Sequence, residues 1–341
     1  MVFSFAPSNL FRLSVASLAS VSLITLVHYI AATRPLTEQA LSRQQKLIGI
    51  AEAEISQWWL DEVDRVGSNL SDPDIISRSL LILQAKRHSR SDFGTPLSVA
   101  LRNEFKGHAV NRNSVSLLTK GGIVVFSTSR NKLGMYQPLK NTTTSVELVE
   151  LATTPLNFFT DSVTSLPSIS VALPINTPEK KRAGFLAIDL NLQRMNSLIE
   201  SARNSYIAAS SSPVPIHTYL AARTTLDRVT TIAPPSSWPV SELSSYKFLP
   251  LDSVGIRSAL DGQSGQGLYL NSESKPVIGV YRYLPNFRTA LLVESLQYDV
   301  YAPARYQSLV IFILGLILSM SPFALGLIIS SRASTTQTHE D

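Results

Sequence analysis

The sequence predicts an α+β fold: two successive antiparallel-sheet modules behind a long helix, set between two membrane-length helices. Three observations carry that prediction. Residues 13–32 and 308–330 are apolar runs without Asp, Glu, Lys or Arg, and a hydrocarbon core of ~30 Å needs about 20 helical residues at ~1.5 Å each. Apolar side chains recur at helical spacing after Pro35. Alternating strand patterns broken by Gly, Pro and Asn then occur twice, once before and once after residue 205.

A short tail, 1–12, leads into the first run, LSVASLASVSLITLVHYIAA. It reads as a retained transmembrane helix or as a cleaved signal peptide. It is longer than the 7–15 residues of a typical signal core, and Ala31-Ala32-Thr33 is only a partial cleavage site. The region 34–306 is long enough to cross a bilayer largely regardless of its own charge. Arg12 and Arg332 suit two cytoplasmic tails, while Arg34 and Arg305 lie at the opposite ends. The second run, 308–330, contains Pro322, which a bilayer helix tolerates when neighbours satisfy the freed carbonyl. The expected layout is a two-pass membrane protein with its large domain between the spans, and the flanking charges alone do not fix its orientation. Residues 331–341 are expected to be a disordered polar tail.

Beyond Pro35, Leu47, Ala51, Ile55 and Trp58 share one helical stripe, with Ile48, Trp59, Val63 and Val66 beside it. Such a stripe is core or the seam of a parallel homodimer, which two copies anchored in one bilayer would meet at high effective concentration. Ser71 or Asp72 can cap a second helix over roughly 73–89, with Pro73 in its first turn.

From 112 the period changes. Residues 114–118, a Lys120-Gly121-Gly122 turn and 123–128 read as strand, turn and strand. A helix-like stretch near 144–153 follows, then strands at 168–173 and 184–190 joined by a polar turn, and a helix over 191–204. In the second half, 218–221 reads as a strand. A Pro- and Ser-rich loop passes through 234–237, and a short helix stops at Asp261-Gly262. Residues 276–284 and 289–294 form a hairpin across a Pro285-Asn286 turn.

Composition narrows the function classes. The net charge of +5 comes from scattered Lys and Arg, whose one run is Lys180-Lys181-Arg182 in a turn, so nucleic acid is not an expected partner. The absence of cysteine is compatible with a periplasmic domain without requiring one. The histidines at 28, 88, 108, 217 and 339 lack metal-ligand spacing. Gly262-Gln263-Ser264-Gly265 lacks the glycine spacing of a nucleophile elbow. No cofactor, metal or enzymatic activity is expected.

In its order of elements the chain resembles the double-Cache extracytoplasmic sensor family of bacterial receptors. The likeness rests on the helix leaving the first span, on SLLTKGGIVVFST (116–128), on PSISVALPI (167–175) with GFLAIDLNL (184–192), and on ALDGQSGQGLYL (259–270) with IGVYRYLPNFRTALLVES (278–295). The resemblance implies a bacterial inner-membrane protein whose large domain is periplasmic or extracellular and holds two PAS-like modules. A membrane-distal one, about 34–204 with the long helix, binds the ligand; a smaller membrane-proximal one covers about 205–306. Amino-acid-binding members carry an Arg-x-Trp-Tyr-like group ahead of the third strand and an Asp on the fourth. Asp189 matches the Asp, but Gln137-Pro138-Leu139-Lys140-Asn141 supplies neither Arg nor Trp. Without Arg's planar fork there is no bidentate carboxylate clamp, so amino-acid specificity is not implied.

The family's arrangement places the pocket on the distal sheet. Here it would draw on Phe126, Thr128, Tyr136, Phe158, Phe159, Ser168, Ser170 and Asp189, aromatic walls with a few polar groups. The same alternation also suits an ordinary core, and Asp189 also reads as a turn or cap residue. The family's receptors continue into a cytoplasmic output domain, for which residues 331–341 leave no room. The expected function is a small-molecule sensor signalling through a separate cytoplasmic transmitter protein. The alternative is a non-signalling envelope scaffold or ligand buffer, or the remnant of a truncated receptor.

Overall fold

The computed structural model describes residues 7–69, 72–85, 93–106, 112–137, 144–145, 158–160, 167–209, 214–223, 229–233, 252–285 and 288–337. Residues 1–40 and 296–341 form one compact unit and residues 41–295 another.

Helix α1 spans Pro7–Asn69 without a break, so the first apolar run and the helix expected after Pro35 are one element. Proline removes a single backbone donor, and the ladder on either side continues. In the larger unit Leu47, Ala51, Ile55, Trp58 and Trp59 are buried against that unit's own sheets. The stripe is therefore core, and the homodimer seam expected along it is not available. Val63 and Val66 carry side chains outside the described residues.

Helix α2, Pro73–Gln84, starts where Asp72 accepts a hydrogen bond from the Asp74 amide at 2.9 Å. It stops well short of 89. Helix α3, Pro96–Lys106, was not expected from the sequence; Leu101 and Phe105, one turn apart, bury its inner face.

The first sheet holds β1 (Arg112–Thr119), β2 (Val124–Ser127), β3 (Thr144–Ser145), β4 (Phe158–Thr160), β5 (Pro167–Asn176) and β6 (Arg182–Asn191). Its order is β2-β1-β6-β5-β3, with β4 also pairing β5. The helix expected near 144–153 is corrected at its start: Thr144 and Ser145 pair in parallel with Val171 and Ala172. A β-branched residue at a sheet edge favours that extended pairing; residues 146–153 lie outside the described residues. Helix α4, Gln193–Ala209, follows.

The second sheet holds β7 (His217–Arg223), β8 (Val229–Ala233), β9 (Gly265–Leu270), β10 (Pro276–Leu284) and β11 (Thr289–Leu296), in the order β8-β7-β11-β10-β9. With β4 left out of the count, both sheets run 2-1-5-4-3, the last strand pairing in parallel in the first sheet and antiparallel in the second. Helix α5, Val254–Leu260, is capped by Ser253, whose Oγ accepts from the Ile256 amide at 3.2 Å. It ends at Asp261-Gly262, as expected, with Gly262 at φ +87°. The loop expected at 234–237 lies outside the described residues, as does Asn286 of the hairpin turn.

One hydrophobic core joins these parts. Val115, Leu117, Ile169, Val171, Leu186, Ile188 and Leu190 of the first sheet share it with Leu220, Val280, Leu291 and Val293 of the second and with α1. Polar contacts fix α1 on the second sheet: Gln44 Nε2 donates to the Ile278 carbonyl at 2.9 Å, and Glu52 pairs with Arg282. The strand alternation leaves each sheet a second face that turns away from α1.

In the smaller unit α6, Gln297–Val300, precedes α7, Ala302–Gln337. Helices α1 and α7 are each long and apolar enough to cross a membrane. Thr37 and Tyr301 share a 2.8 Å hydrogen bond. Helix α7 continues to Gln337, so residues 331–337 are helical rather than the expected disordered tail.

Candidate ligand site on the first sheet

Asp189 stands two residues before the end of β6, paired with Ser114 of β1 on one side and Ser170 of β5 on the other. It is neither a turn nor a cap residue. On the same face lie Ser116, Leu118, Ser168, Ala172, Phe185 and Ala187, while the alternate residues fill the core against α1.

A buried carboxylate needs a compensating charge or a full set of donors, and Asp189 has both. Its Oδ2 accepts from Lys132 Nζ at 2.5 Å and from Ser114 Oγ at 2.8 Å. Gln137 Nε2 donates to Oδ1 at 3.4 Å and to Ser170 Oγ at 3.1 Å. Lys132 ends a 3₁₀ turn, Arg130–Lys132, just after β2. Its side chain is 9 % exposed and that of Asp189 2 %, so the ion pair is shielded from solvent. A second hydroxyl pair continues the polar face: Ser116 Oγ donates to Ser127 Oγ at 3.0 Å.

The expected site residues separate into groups. Ser168, Ser170 and Asp189 share the polar face. Phe126 does not: it is buried on the other side, its ring centroid 6.3 Å from that of Phe105 in α3. Thr128 secures the strand end, its Oγ1 accepting from the Val115 amide at 2.9 Å. Tyr136 bridges Ile123 and is 63 % exposed. Phe158 and Phe159 pair in register with Ile169 and Ser168, but their side chains lie outside the described residues. Sequence reasoning missed Lys132 and Ser114. A lone lysine in a turn carries no local signal; only the need of a mid-strand aspartate for a cation could have pointed to one. Among the described residues no group of His, Asp and Glu is placed to hold a metal ion.

No protein-family model and no curated protein sequence matches the chain. Solved structures do. The ligand-binding domain of the Campylobacter jejuni chemoreceptor Tlp3 in complex with L-norvaline aligns over 79 % of this chain and 95 % of that one, at TM-score 0.51 and 14 % identity. The same domain with 4-methylisoleucine gives the same coverage and identity at TM-score 0.50. The sensor domain of the V. cholerae histidine kinase DctB covers 77 % and 98 % at TM-score 0.49 and 12 % identity. This chain has a long N-terminal helix and two largely antiparallel sheets, the fold of the chemoreceptor ligand-binding domain it aligns with.

Proposed function

We propose that this protein is a membrane-anchored, extracytoplasmic small-molecule sensor of the double-Cache class, binding its ligand at the Asp189 face of the first sheet and signalling through a separate cytoplasmic protein. The observation that carries the reading is the buried Lys132–Asp189 pair with its ring of serine hydroxyls and the Gln137 amide. Sheet packing alone does not call for such a cluster, since apolar residues of similar volume stabilise a core at least as well. Buried, specific polar groups are what a small-molecule site uses to fix its ligand.

The pair also bears on ligand class. The Tlp3 domain is solved with L-norvaline and 4-methylisoleucine; here an amine of that kind would have to displace Lys132 from Asp189. A neutral ligand bearing hydroxyl or carbonyl groups meets the serines and Gln137 without breaking the pair. The reading is of binding rather than catalysis, since Asp189 is already engaged by Lys132, Ser114 and Gln137.

A thermal-shift screen of the detergent-purified full chain, using sugars, small acids and amines, tests this. Stabilisation by neutral polar compounds, lost in Ser170→Ala, supports it. Stabilisation by amines alone, lost in Asp189→Asn, overturns the ligand class. Co-purification of a kinase, cyclase or chemoreceptor-type transmitter is expected; recovery of the protein alone, under conditions that preserve receptor complexes, favours a ligand buffer or scaffold.

A further inference from the structure

The second sheet contains its own buried carboxylate, which the ligand site does not use. Glu294 stands two residues before the end of β11, 3 % exposed, on the face turned away from α1. Its neighbours come from every surrounding strand. His217 of β7 lies directly opposite in register. Tyr219 of β7 and Tyr269 of β9 present their phenols to the carboxylate, and Glu273, itself paired with Lys275 at 2.6 Å, lies beyond them in the β9–β10 turn. Tyr281 of β10 meets the Tyr269 ring edge-on at 6.2 Å. Helix α5 contributes its cap residue Ser253, beside Tyr219. Among the described residues no lysine or arginine forms an ion pair with Glu294.

The backbone is shaped to bring Tyr269 in. A Cβ on Gly279 would lie 2.2 Å from the Tyr269 phenol oxygen, and one on Gly255 would lie 2.8 Å from it, so two glycines form its slot. Both phenols interact with Glu294, yet Oε1 and the two phenol oxygens are buried without a hydrogen bond of full geometry. An ionised Glu294 is thus a buried charge whose facing phenol donors do not reach it in full hydrogen-bond geometry, and protonation removes that charge. Burial pushes the Glu294 carboxyl up to about 7, against the opposing pull of the phenols and with a smaller push from Glu273. Burial and the facing carboxylate also raise both tyrosines well above their ordinary range.

We propose that the Glu294–Tyr219–Tyr269 cluster is a proton-binding site of the second module, occupied when the surrounding compartment acidifies and emptied when it turns alkaline. β11 runs directly into α6 and α7 in the chain, so a change at the site has a covalent link to the second apolar helix. The site is independent of any ligand on the first sheet.

Infrared difference spectra of the intact protein in lipid nanodiscs, titrated from about pH 5 to about pH 8.5, test the site directly. A protonated-carboxyl band that titrates near neutrality and is missing from Glu294→Gln is expected; a band that survives in that variant overturns the proposal. Tyr269→Phe keeps the carboxylate and removes a donor, so its midpoint should move up, and an unmoved midpoint counts against the cluster. Melting of the same protein supplies the sign. The wild type should lose roughly 5–10 °C as pH rises through neutrality, while Glu294→Gln stays flat. A fall that persists in Glu294→Gln and vanishes in His217→Gln would assign the titration elsewhere and overturn the proposal. A nitroxide at Ala302 should change mobility with pH in the wild type alone; an identical spectrum at both pH values removes the link to α7.

Discussion

The two sheets share a strand order, and each has a carboxylate two residues before the end of the central strand that closes its module, facing away from α1. Asp189 and Glu294 nevertheless sit in different electrostatic surroundings. Lys132 reaches Asp189 at 2.5 Å and holds it as an ion pair, backed by Ser114 and Gln137. Glu294 is faced by two phenols and a histidine, and burial moves its carboxyl to about 7. A sheet position can therefore be kept while its charge is set by a single turn outside the sheet. The 3₁₀ turn after β2 delivers a lysine; in the second module the glycine slot delivers a tyrosine instead.

The largest test of that contrast is Lys132→Ala. It leaves a buried carboxylate without its cation, and the first module should lose about 3–5 kcal/mol in denaturant unfolding. Adding Asp189→Ala should recover part of the loss, because the charge left without a partner is gone. A double variant no more stable than the single one would mean that packing, not charge, dominates.

Glu294→Gln probes the other module. A carboxyl raised from 4.5 to about 7 in the fold contributes stability that is complete below the unfolded value and lost as pH rises through about 7. The shift corresponds to about 3 kcal/mol between the two limits. The variant should flatten the stability profile across that window, measured by urea unfolding at several pH values. Asp189→Asn should leave that profile in place.

Gly279→Ala should cost about 1–3 kcal/mol, since the new Cβ meets the Tyr269 phenol at 2.2 Å and has to displace it. Moving that donor away should also raise the pH midpoint of the second module. A destabilised variant with an unchanged midpoint would separate packing from proton binding.

The smallest expected effect concerns α1, the element common to both modules. Its stripe at Leu47, Ala51, Ile55 and Trp58 is consumed inside the chain, and Lys46, Ile50, Ala53, Gln57 and Leu60 are exposed at alternating steps of three and four. If two copies pair in membranes, single cysteines at the second set should cross-link and those at the first should not. Cysteines at the second set should leave stability unchanged, whereas those replacing Leu47, Ile55 and Trp58 in the core should each cost about 2–5 kcal/mol.

Much of the fold was legible because its signals are local. The strands around Leu117, Val171, Ile188, Val280 and Leu292 announce themselves by β-branched and aliphatic runs between Gly and Pro, and the stop at Asp261-Gly262 needs only a left-handed glycine. The short edge strands β3 and β4 were not legible, since pairing with β5 and not their own residues makes them strands. Of the candidate face, only part was legible. Asp189, Ser168 and Ser170 fall on one face by parity alone, but Phe126 landed on the opposite face, on the side of α3. Tyr136 fell outside because the chain leaves the sheet after β2.

By itself the sequence determined the two membrane-length helices, the α+β class, the recurrence of a sheet module and the parity that sets a carboxylate on one face. These follow from periodicity, which acts over a few neighbouring residues. Only the tertiary structure decided that Asp189 meets Lys132, 57 positions away, and that Glu294 meets Tyr219 and Tyr269 without a lysine or arginine ion pair. The charge state of a buried acid depends on which distant turns fold over it, and no local pattern encodes that.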